Sequence, residues 1–214
     1  MQQIILPIIA DDSSYNVSDF IVSYPNLEAY RAVTSNIIWP QNRLLIIGES
    51  GSGKTHLTKI WQQKSGAHYI RDLSQLVSLK ESDALIFENL ENYQEIEILN
   101  IINAAFGNKK KLLLTSNYYN YVKLKDLRSR FNSTYKILIK SPDENMVQIL
   151  IGKMLHDKQI KVSKEILNYI SVRVKRSFAD IKTFITYLDK LSLSQKRNIT
   201  INFIKEVLEG IEAN

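Results

Sequence analysis

An eight-residue segment, GESGSGKT at positions 48–55, contains the residue types and spacing that bind phosphate. It matches the pattern G-x-x-x-x-G-K-[ST], follows the short apolar run RLLIIG and opens a predicted helix over residues 54–64. Glycines let the backbone curl until its N–H groups converge on phosphate oxygens, and the helix N-terminus adds partial positive charge. The predicted nucleotide-binding residues of this phosphate-binding loop are Gly48, Glu49, Ser50, Gly51, Ser52, Gly53, Lys54 and Thr55, followed by His56.

Two side chains of the loop and two at a downstream strand have predicted chemical roles. Lys54 neutralises the outer phosphates, and Thr55 offers its hydroxyl to Mg²⁺. Glu88 ends the apolar run ALIF, so we predict it as the acid on the magnesium side, acting directly or through water. Asn89 can orient a water molecule but cannot take its proton, and loss of a general base typically costs a factor of ~10²–10⁴ in rate. We therefore expect slow intrinsic ATP hydrolysis or none.

Around these residues, short apolar runs alternate with segments in which apolar residues recur at helical spacing. Predicted strands cover residues 43–48, 68–70, 84–88, 111–117 and 135–140, with helices near 27–33, 54–64 and 95–106. Strands that alternate with helices favour a parallel α/β sheet covered on both faces. From Ser141, a predicted N-cap with Pro142 at the first helical position, the patterns are helical only, and Thr200 is a second predicted cap. The predicted units are a tail (1–18), an α/β base (19–140) and a small all-helical lid (141–214).

Composition narrows the class of protein. The 214 residues are 44% hydrophobic and 23% charged, as in a globular protein with an ample core. Cysteine is absent, which excludes disulfides and thiol catalysis, and three scattered histidines have no metal-ligand spacing. No run predicts a membrane span or a signal peptide, so we expect a cytoplasmic protein. A net charge of +6 permits nucleic-acid contact, but a compositional bias toward Lys, Asn and Ile explains it equally.

The phosphate-binding loop running into THL, together with LLLTSN, DLRSRF and LDKLSLSQKRNITINFIKEVL in that order, resembles the DnaA/Hda family of AAA+ proteins. The resemblance covers nearly the whole chain and is nearest to the short regulatory members of the family, the Hda type. It implies a P-loop AAA+ core with a parallel sheet, a helical lid, and ADP or ATP with Mg²⁺ as cofactors. The DNA-binding domain that follows the lid in the initiator is not expected here, nor is sequence-specific DNA binding.

The resemblance also assigns roles to individual positions. Phe20, Ile21 and Val22 fall in the segment that contacts adenine, although an ordinary edge segment packed on the core is the alternative. Asn117 matches the sensor position beside the γ-phosphate. Arg130 of DLRSRF matches the arginine finger that reaches ATP in a neighbouring subunit, with a surface salt bridge as the alternative. Ala179 stands where the lid arginine of the initiator is expected, and Arg176, one turn earlier, is the proposed replacement.

The tail sequence QIILPI resembles the peptide with which Hda-type proteins bind the sliding clamp of the replicase. The matching residues are Gln3, Leu6, Pro7 and Ile8. Leu6 and Ile8 would fill an apolar pocket while Pro7 stiffens the backbone. The alternative is that this segment packs on its own domain as an extra strand.

The resemblance implies a regulator of replication initiation. It would bind an adenine nucleotide, tether to the sliding clamp and promote hydrolysis of ATP bound to the DnaA initiator. A homo-oligomer is compatible with this mode of action. The alternatives are a helicase-loader-like AAA+ protein, a fragment of a DnaA-like initiator, and a self-sufficient P-loop ATPase or nucleotide kinase.

Overall fold

The computed structural model describes residues 19–78, 82–118 and 122–212, and the first part of this range alternates helices with strands. Its elements are α1 (Leu27–Thr34), β1 (Arg43–Ile47), α2 (Lys54–Ser65), β2 (His68–Tyr69), α3 (Leu73–Ser78), β3 (Ala84–Phe87), α4 (Glu95–Gly107), β4 (Lys111–Ser116), α5 (Lys125–Asn132) and β5 (Tyr135–Leu138). Every predicted strand is present. The short helices α3 and α5 were not indicated by the apolar spacing.

The five strands of the described ranges form one sheet in the order β2-β3-β4-β1-β5, and every neighbouring pair is parallel. β1 lies between β4 and β5, and all five of its residues are buried. In an open parallel sheet, the crevice beyond the carboxyl ends of the strands is the usual place for a ligand. β1, β3 and β4 all end at this edge, where the phosphate-binding loop, Glu88 and Asn117 follow them directly.

Two apolar clusters cover the two faces of the sheet. Because successive side chains of a strand point to opposite faces, Leu44 and Ile46 belong to one cluster and Leu45 and Ile47 to the other. The first cluster includes residues of α1 and α2, and the second includes residues of α4 and α5. Both faces are therefore covered by helices, as the near-continuous apolar strands predicted.

Four helices follow the sheet: α6 (Glu144–Asp157), α7 (Lys164–Arg173), α8 (Phe178–Gln195) and α9 (Ile201–Glu212). They share a third apolar cluster, which includes Val147, Ile185 and Ile204. Met146 and Phe178 instead belong to the cluster of α1 and α2, so the helical part packs against the sheet part. The fold is α/β with a parallel sheet and an appended helical region, as predicted. The unit boundaries at residues 18 and 141 stay predictions.

The start of α6 differs from its prediction. The structure has Asp143, not Ser141, as the N-cap, and the Asp143 carboxylate accepts a hydrogen bond of 2.8 Å from the Met146 N–H. Asp satisfies an N-terminal N–H group as well as Ser does, and Asp143 was not considered as a cap in the sequence analysis. The predicted cap at Thr200 is confirmed by its bond from the Phe203 N–H (3.3 Å). Across the described ranges, no helix is both long and apolar enough to cross a membrane.

Candidate functional site

The phosphate-binding loop has the backbone shape that its glycines allow. Gly51 and Gly53 have φ values of 81° and 92°, in the left-handed region that L side chains rarely adopt. A Cβ atom at Gly53 would lie 2.9 Å from the Phe20 ring, so a side chain there would displace the ring as well as strain the backbone. The backbone can therefore curl between β1 and α2 as a loop that binds phosphate requires.

Lys54 is the first residue of α2, directly after the loop, and is almost fully buried. Its ammonium donates to the carbonyls of Gly48 (2.7 Å) and Glu49 (3.0 Å) and to Asn117 Oδ1 (2.9 Å). Burial lowers the pKa of Lys54 below its usual value, while the nearby carboxylates, Glu91 foremost, oppose that shift. The structure thus brings the predicted lysine and the predicted sensor residue into direct contact.

The predicted magnesium-side acid is held by α2. Glu88 Oε1 accepts a hydrogen bond of 2.9 Å from the Thr58 hydroxyl, which also lies 3.0 Å from the Tyr69 hydroxyl. Thr58 is one helical turn beyond Thr55, whose own side chain is exposed at the start of α2. The hydroxyl and carboxylate oxygens of Thr55 and Glu88 suit Mg²⁺, which prefers oxygen ligands. Within the described ranges, no group of three or more acidic or His/Cys side chains forms a metal cluster.

Asn89 has a left-handed backbone (φ 56°) and an exposed side chain. Its N–H donates to Thr115 Oγ1 on β4 (3.1 Å), which fixes the turn after β3. An amide in this place has no carboxylate oxygen with which to take a proton from water.

Glu91 is a second acid at this edge that the sequence reasoning missed. Its Oε2 atom accepts from the Asn117 N–H (3.1 Å) and lies 3.0 Å from Ser116 Oγ. Among the carboxylates, Glu91 has the largest influence on Lys54. The spacing E-N-L-E, which places two acids three residues apart after a buried strand, was the available signal.

A cavity of about 200 Å³ opens beside the loop, between the sheet part and the helical part. Phe20, Ile21 and His56 line it, and the Phe20 and His56 rings meet edge to face with centroids 5.1 Å apart. Val22 is 40% exposed and is not part of the lining. The other lining residues are Asp19, Asn26, Gly51, Ser52, Gly53, Met146, Leu150, Lys153, Met154, Asp157 and Phe178.

Asn26 fixes the segment that carries the first cavity residues. It is 1% exposed, and its amide donates to the Ile21 carbonyl (2.8 Å) and accepts from the Ser23 N–H (2.9 Å). Residues 20–23 belong to no strand or helix, so this side chain supplies hydrogen bonds that a regular element would supply. The sequence reasoning did not identify this role for Asn26.

The loop also contacts the helical part directly. Glu49 Oε1 accepts a long hydrogen bond (3.3 Å) from the N–H of Phe178, the first residue of α8. A carboxylate at a helix N-terminus is favourable because it faces unsatisfied N–H groups. In the loop itself, Ser50 is exposed, whereas the Ser52 hydroxyl is buried and has no hydrogen-bond partner in the described ranges. An unpaired polar atom beside the curled backbone fits a loop that binds a polar ligand.

Arg176 lies apart from the cavity. Its Nη2 atom is 3.4 Å from Glu144 Oε2, in an exposed ion pair, and it is not among the lining residues. Ala179, where the resemblance expected an arginine, is exposed on α8. The structure therefore does not bring Arg176 together with the loop.

Arg130 lies near the end of α5, where its guanidinium is 5.4 Å from the centre of the Phe106 ring. Arg43, at the amino end of β1, approaches the same ring at 5.9 Å. The phosphate-binding loop follows the other end of this strand, and five residues of a strand span roughly 16 Å. Arg130 is thus on the opposite edge of the sheet from the chain's own loop.

The predicted tail residues Gln3, Leu6, Pro7 and Ile8 lie outside the described residues.

Comparisons of the sequence with known proteins find similarity to Hda and DnaA. The model of the Hda lid domain matches residues 143–208. The initiator DnaA of Buchnera aphidicola subsp. Cinara cedri is 27% identical over an alignment that covers 94% of this chain and 54% of that protein. The chain spans about half the length of the curated DnaA relatives it matches.

Solved structures share the fold. Domain III of the Thermotoga maritima replication initiation protein DnaA superposes with a TM-score of 0.73 at 20% identity, covering 92% of this chain and 96% of that one. AMPPCP-bound DnaA from Aquifex aeolicus superposes with a TM-score of 0.64 at 22% identity, over 84% of this chain and 66% of that one. By the lid-domain match and the sequence similarity to DnaA, the chain is similar to proteins of the DnaA/Hda family of AAA+ proteins, and it shares their α/β architecture.

Proposed function

We propose that the chain binds an adenine nucleotide, ADP or ATP, between the phosphate-binding loop and the adjoining cavity. The observation that carries this proposal is the continuity of the two: Gly51, Ser52 and Gly53 belong to the loop and also line the cavity. The loop amides and Lys54 would hold the phosphates, and the apolar walls at Phe20 and Ile21 suit a flat purine. The AMPPCP bound to DnaA of Aquifex aeolicus supports an adenine nucleotide as the ligand.

Thr55 and Glu88 are the residues that would hold Mg²⁺ in this site. When bound, the metal ion would neutralise charge on the phosphates. Thr58, one helical turn after Thr55 on α2, holds the Glu88 carboxylate at the end of β3. Three hydrogen bonds hold the Lys54 ammonium group beside the loop.

Slow self-hydrolysis is part of the proposal. Asn89 cannot accept a proton, and the Glu88 carboxylate accepts a hydrogen bond from Thr58. Glu91 orients Asn117, because its carboxylate accepts the Asn117 N–H while the Asn117 side chain contacts Lys54. In this arrangement the nucleotide serves to hold the loop, the cavity and the helical part together.

Beyond nucleotide binding, we propose that the chain regulates replication initiation by promoting hydrolysis of ATP bound to the initiator DnaA. Arg130 lies on the opposite edge of the sheet from the chain's own loop, so it is suited to a nucleotide held by another protein. An arginine supplied in trans raises kcat by ~10³–10⁵ in well-studied phosphoryl transfers. Binding of the sliding clamp through Gln3, Leu6, Pro7 and Ile8 completes the proposal and is supported by sequence alone.

Titration with a fluorescent ADP analogue tests the nucleotide site. Lys54→Ala should abolish saturable binding, and Phe20→Ala should weaken it about tenfold or more, because a wall of the cavity is lost. Val172→Ala, at a position that is 66% exposed on α7, is the control and should bind as wild type. Saturable binding that survives Lys54→Ala would contradict the proposed site.

Hydrolysis of ATP bound to purified DnaA, with DNA-loaded clamp present, tests the regulatory role. Arg130→Ala should abolish the stimulation, whereas Arg31→Ala, which removes an exposed arginine of α1, should leave it intact. Gln3→Ala combined with Leu6→Ala should abolish clamp binding, while Ile4→Ala, outside the matching positions, should not. Full stimulation by Arg130→Ala would refute this role without affecting the nucleotide proposal.

A further inference from the structure

Arg43 is a buried arginine in the sheet part of the molecule. It is 2% exposed, although it is the first residue of β1. It takes part in none of the ion pairs of the described ranges. Its Nη1 atom has no hydrogen-bond partner there. Burial lowers the pKa of Arg43 below its usual range, with a further contribution from the charge of Arg130. A buried charge without a counter-charge is costly, so packing alone does not explain an arginine here.

Two hydroxyl groups connect Arg43 to the backbone of Arg130. Arg43 donates from Nη2 to Ser133 Oγ (2.9 Å) and from Nε to Thr134 Oγ1 (3.1 Å). Both hydroxyls in turn donate to the Arg130 carbonyl, at 3.0 Å and 2.8 Å respectively. This carbonyl belongs to the last turn of α5, where carbonyls lack partners within the helix. Arg43 therefore fixes the end of the helix that carries Arg130.

Phe106 connects the same two arginines through their side chains. The guanidinium carbons of Arg43 and Arg130 lie 5.9 Å and 5.4 Å from the centre of its ring, within the range of cation–π attraction. The ring is 47% exposed at the end of α4, so Arg130 meets it at the surface. The buried charge of Arg43 repels the Arg130 guanidinium, which favours an outward direction for Arg130.

We infer that Arg43 and Phe106 are positioning residues for Arg130: Arg43 fixes its backbone, and Phe106 holds its guanidinium toward a partner's polyphosphate. The inference rests on the proposed role of Arg130 in stimulating hydrolysis by DnaA. It adds two residues that would act through Arg130 without touching the nucleotide. It also gives a reason for an arginine at position 43 despite the free-energy cost of burying its charge.

The test compares variants in the stimulated hydrolysis of DnaA-bound ATP, measuring the rate at saturation and the half-saturating concentration separately. Phe106→Leu keeps apolar bulk but removes the π-face, and Phe106→Tyr restores it. We expect Phe106→Leu to lower the saturated rate about fivefold, with the half-saturating concentration within about twofold of wild type, and Phe106→Tyr to match wild type. Ser133→Ala combined with Thr134→Val should give a similar loss in rate. Leu193→Ala, at a position that is 72% exposed on α8, is the control.

Equal rates for Phe106→Leu and wild type, or equal losses in the Leu and Tyr variants, would overturn the inference. Stimulation that persists in Arg130→Ala would instead overturn the proposed function. A second measurement separates the two outcomes: the NMR shift of the Arg130 Nε–Hε group, which the Phe106 ring current should perturb. The shift should change in Phe106→Leu and stay close to wild type in Phe106→Tyr, whether or not DnaA is stimulated. No change in Phe106→Leu would show that the ring does not hold Arg130.

Discussion

Replacing Phe178 with alanine should weaken both the packing of the helical part against the sheet part and the binding of nucleotide. Phe178 begins α8, is 6% exposed and belongs to the apolar cluster of α1 and α2. It also lines the cavity beside the phosphate-binding loop, with its Cβ atom 3.4 Å from where a Cβ at Gly51 would be. One side chain therefore contributes to the contact between the two parts and to the proposed ligand site.

The expected loss follows from this burial. Phe→Ala in a packed core costs about 3–5 kcal/mol. The lower end applies here because Phe178 lies at a junction, where α8 can settle toward the sheet and fill part of the space. For a chain of this size each kcal/mol shifts Tm by about 2–4 °C, so a loss of about 3 kcal/mol lowers Tm by about 6–12 °C. Loss of the cavity wall should also weaken ADP binding about tenfold or more.

Thermal unfolding with and without ADP measures both effects. Leu193→Ala, on the same helix and 72% exposed, is the matched control and should change stability by no more than about 0.5 kcal/mol. The wild type should gain stability as ADP increases, and Phe178→Ala should need more ADP for the same gain. A Tm for Phe178→Ala within about 2 °C of wild type, together with unchanged ADP affinity, would refute the described packing of α8.

Three other changes have definite outcomes. Asp143→Ala should lower the free energy of unfolding by about 1 kcal/mol in urea titrations because it removes the cap of α6, and an equal effect of Ser141→Ala would contradict that cap. Gly53→Ala should reduce thermal stability by about 1–2 kcal/mol and weaken ADP binding because φ is 92°, and wild-type behaviour would disprove the loop conformation. The hydrogen bond from Arg197 lowers the pKa of Glu206, so this carboxylate stabilises the fold above about pH 4.5 and loses that contribution as the pH falls through its lowered pKa. Urea titrations of wild type and Glu206→Gln should therefore converge in acid, and a gap that stays constant would rule out this linkage.

Features that depend on local pattern were predictable from the sequence. The apolar runs gave the strands, since a parallel sheet covered on both faces buries nearly every strand residue. The phosphate-binding loop was predictable because its chemistry requires glycines, a lysine and a hydroxyl at fixed spacing. The position of Asn117 beside the phosphate-binding loop was implied by the resemblance, and its contact with Lys54 fits the parallel strands β1 and β4 ending at the same edge.

Features that depend on contacts between distant segments were not predictable. Glu91 bonds to Asn117 across 26 positions of sequence, and no local pattern distinguishes it from an exposed loop acid. Asn26 reads as part of a turn after a proline, and only the folded structure shows its side chain fixing the cavity segment. Arg43 is the strongest case, because no local pattern distinguishes a buried arginine from an exposed one at a strand end, and its contacts are hydroxyls about 90 residues away.

The position of β1 between two paired strands has a mechanical consequence. Its neighbours β4 and β5 hold it on both sides, and its two ends lead to the phosphate-binding loop and to the side chain that fixes α5. A strand bonded along both edges cannot bend or slide without breaking several ladder hydrogen bonds at once. The loop and Arg130 should therefore move as one rigid body, and a change of shape in this molecule should fall between the sheet and the four helices that follow it. A protein that binds both the phosphate-binding loop and Arg130 would therefore find these two sites at a constant distance from each other.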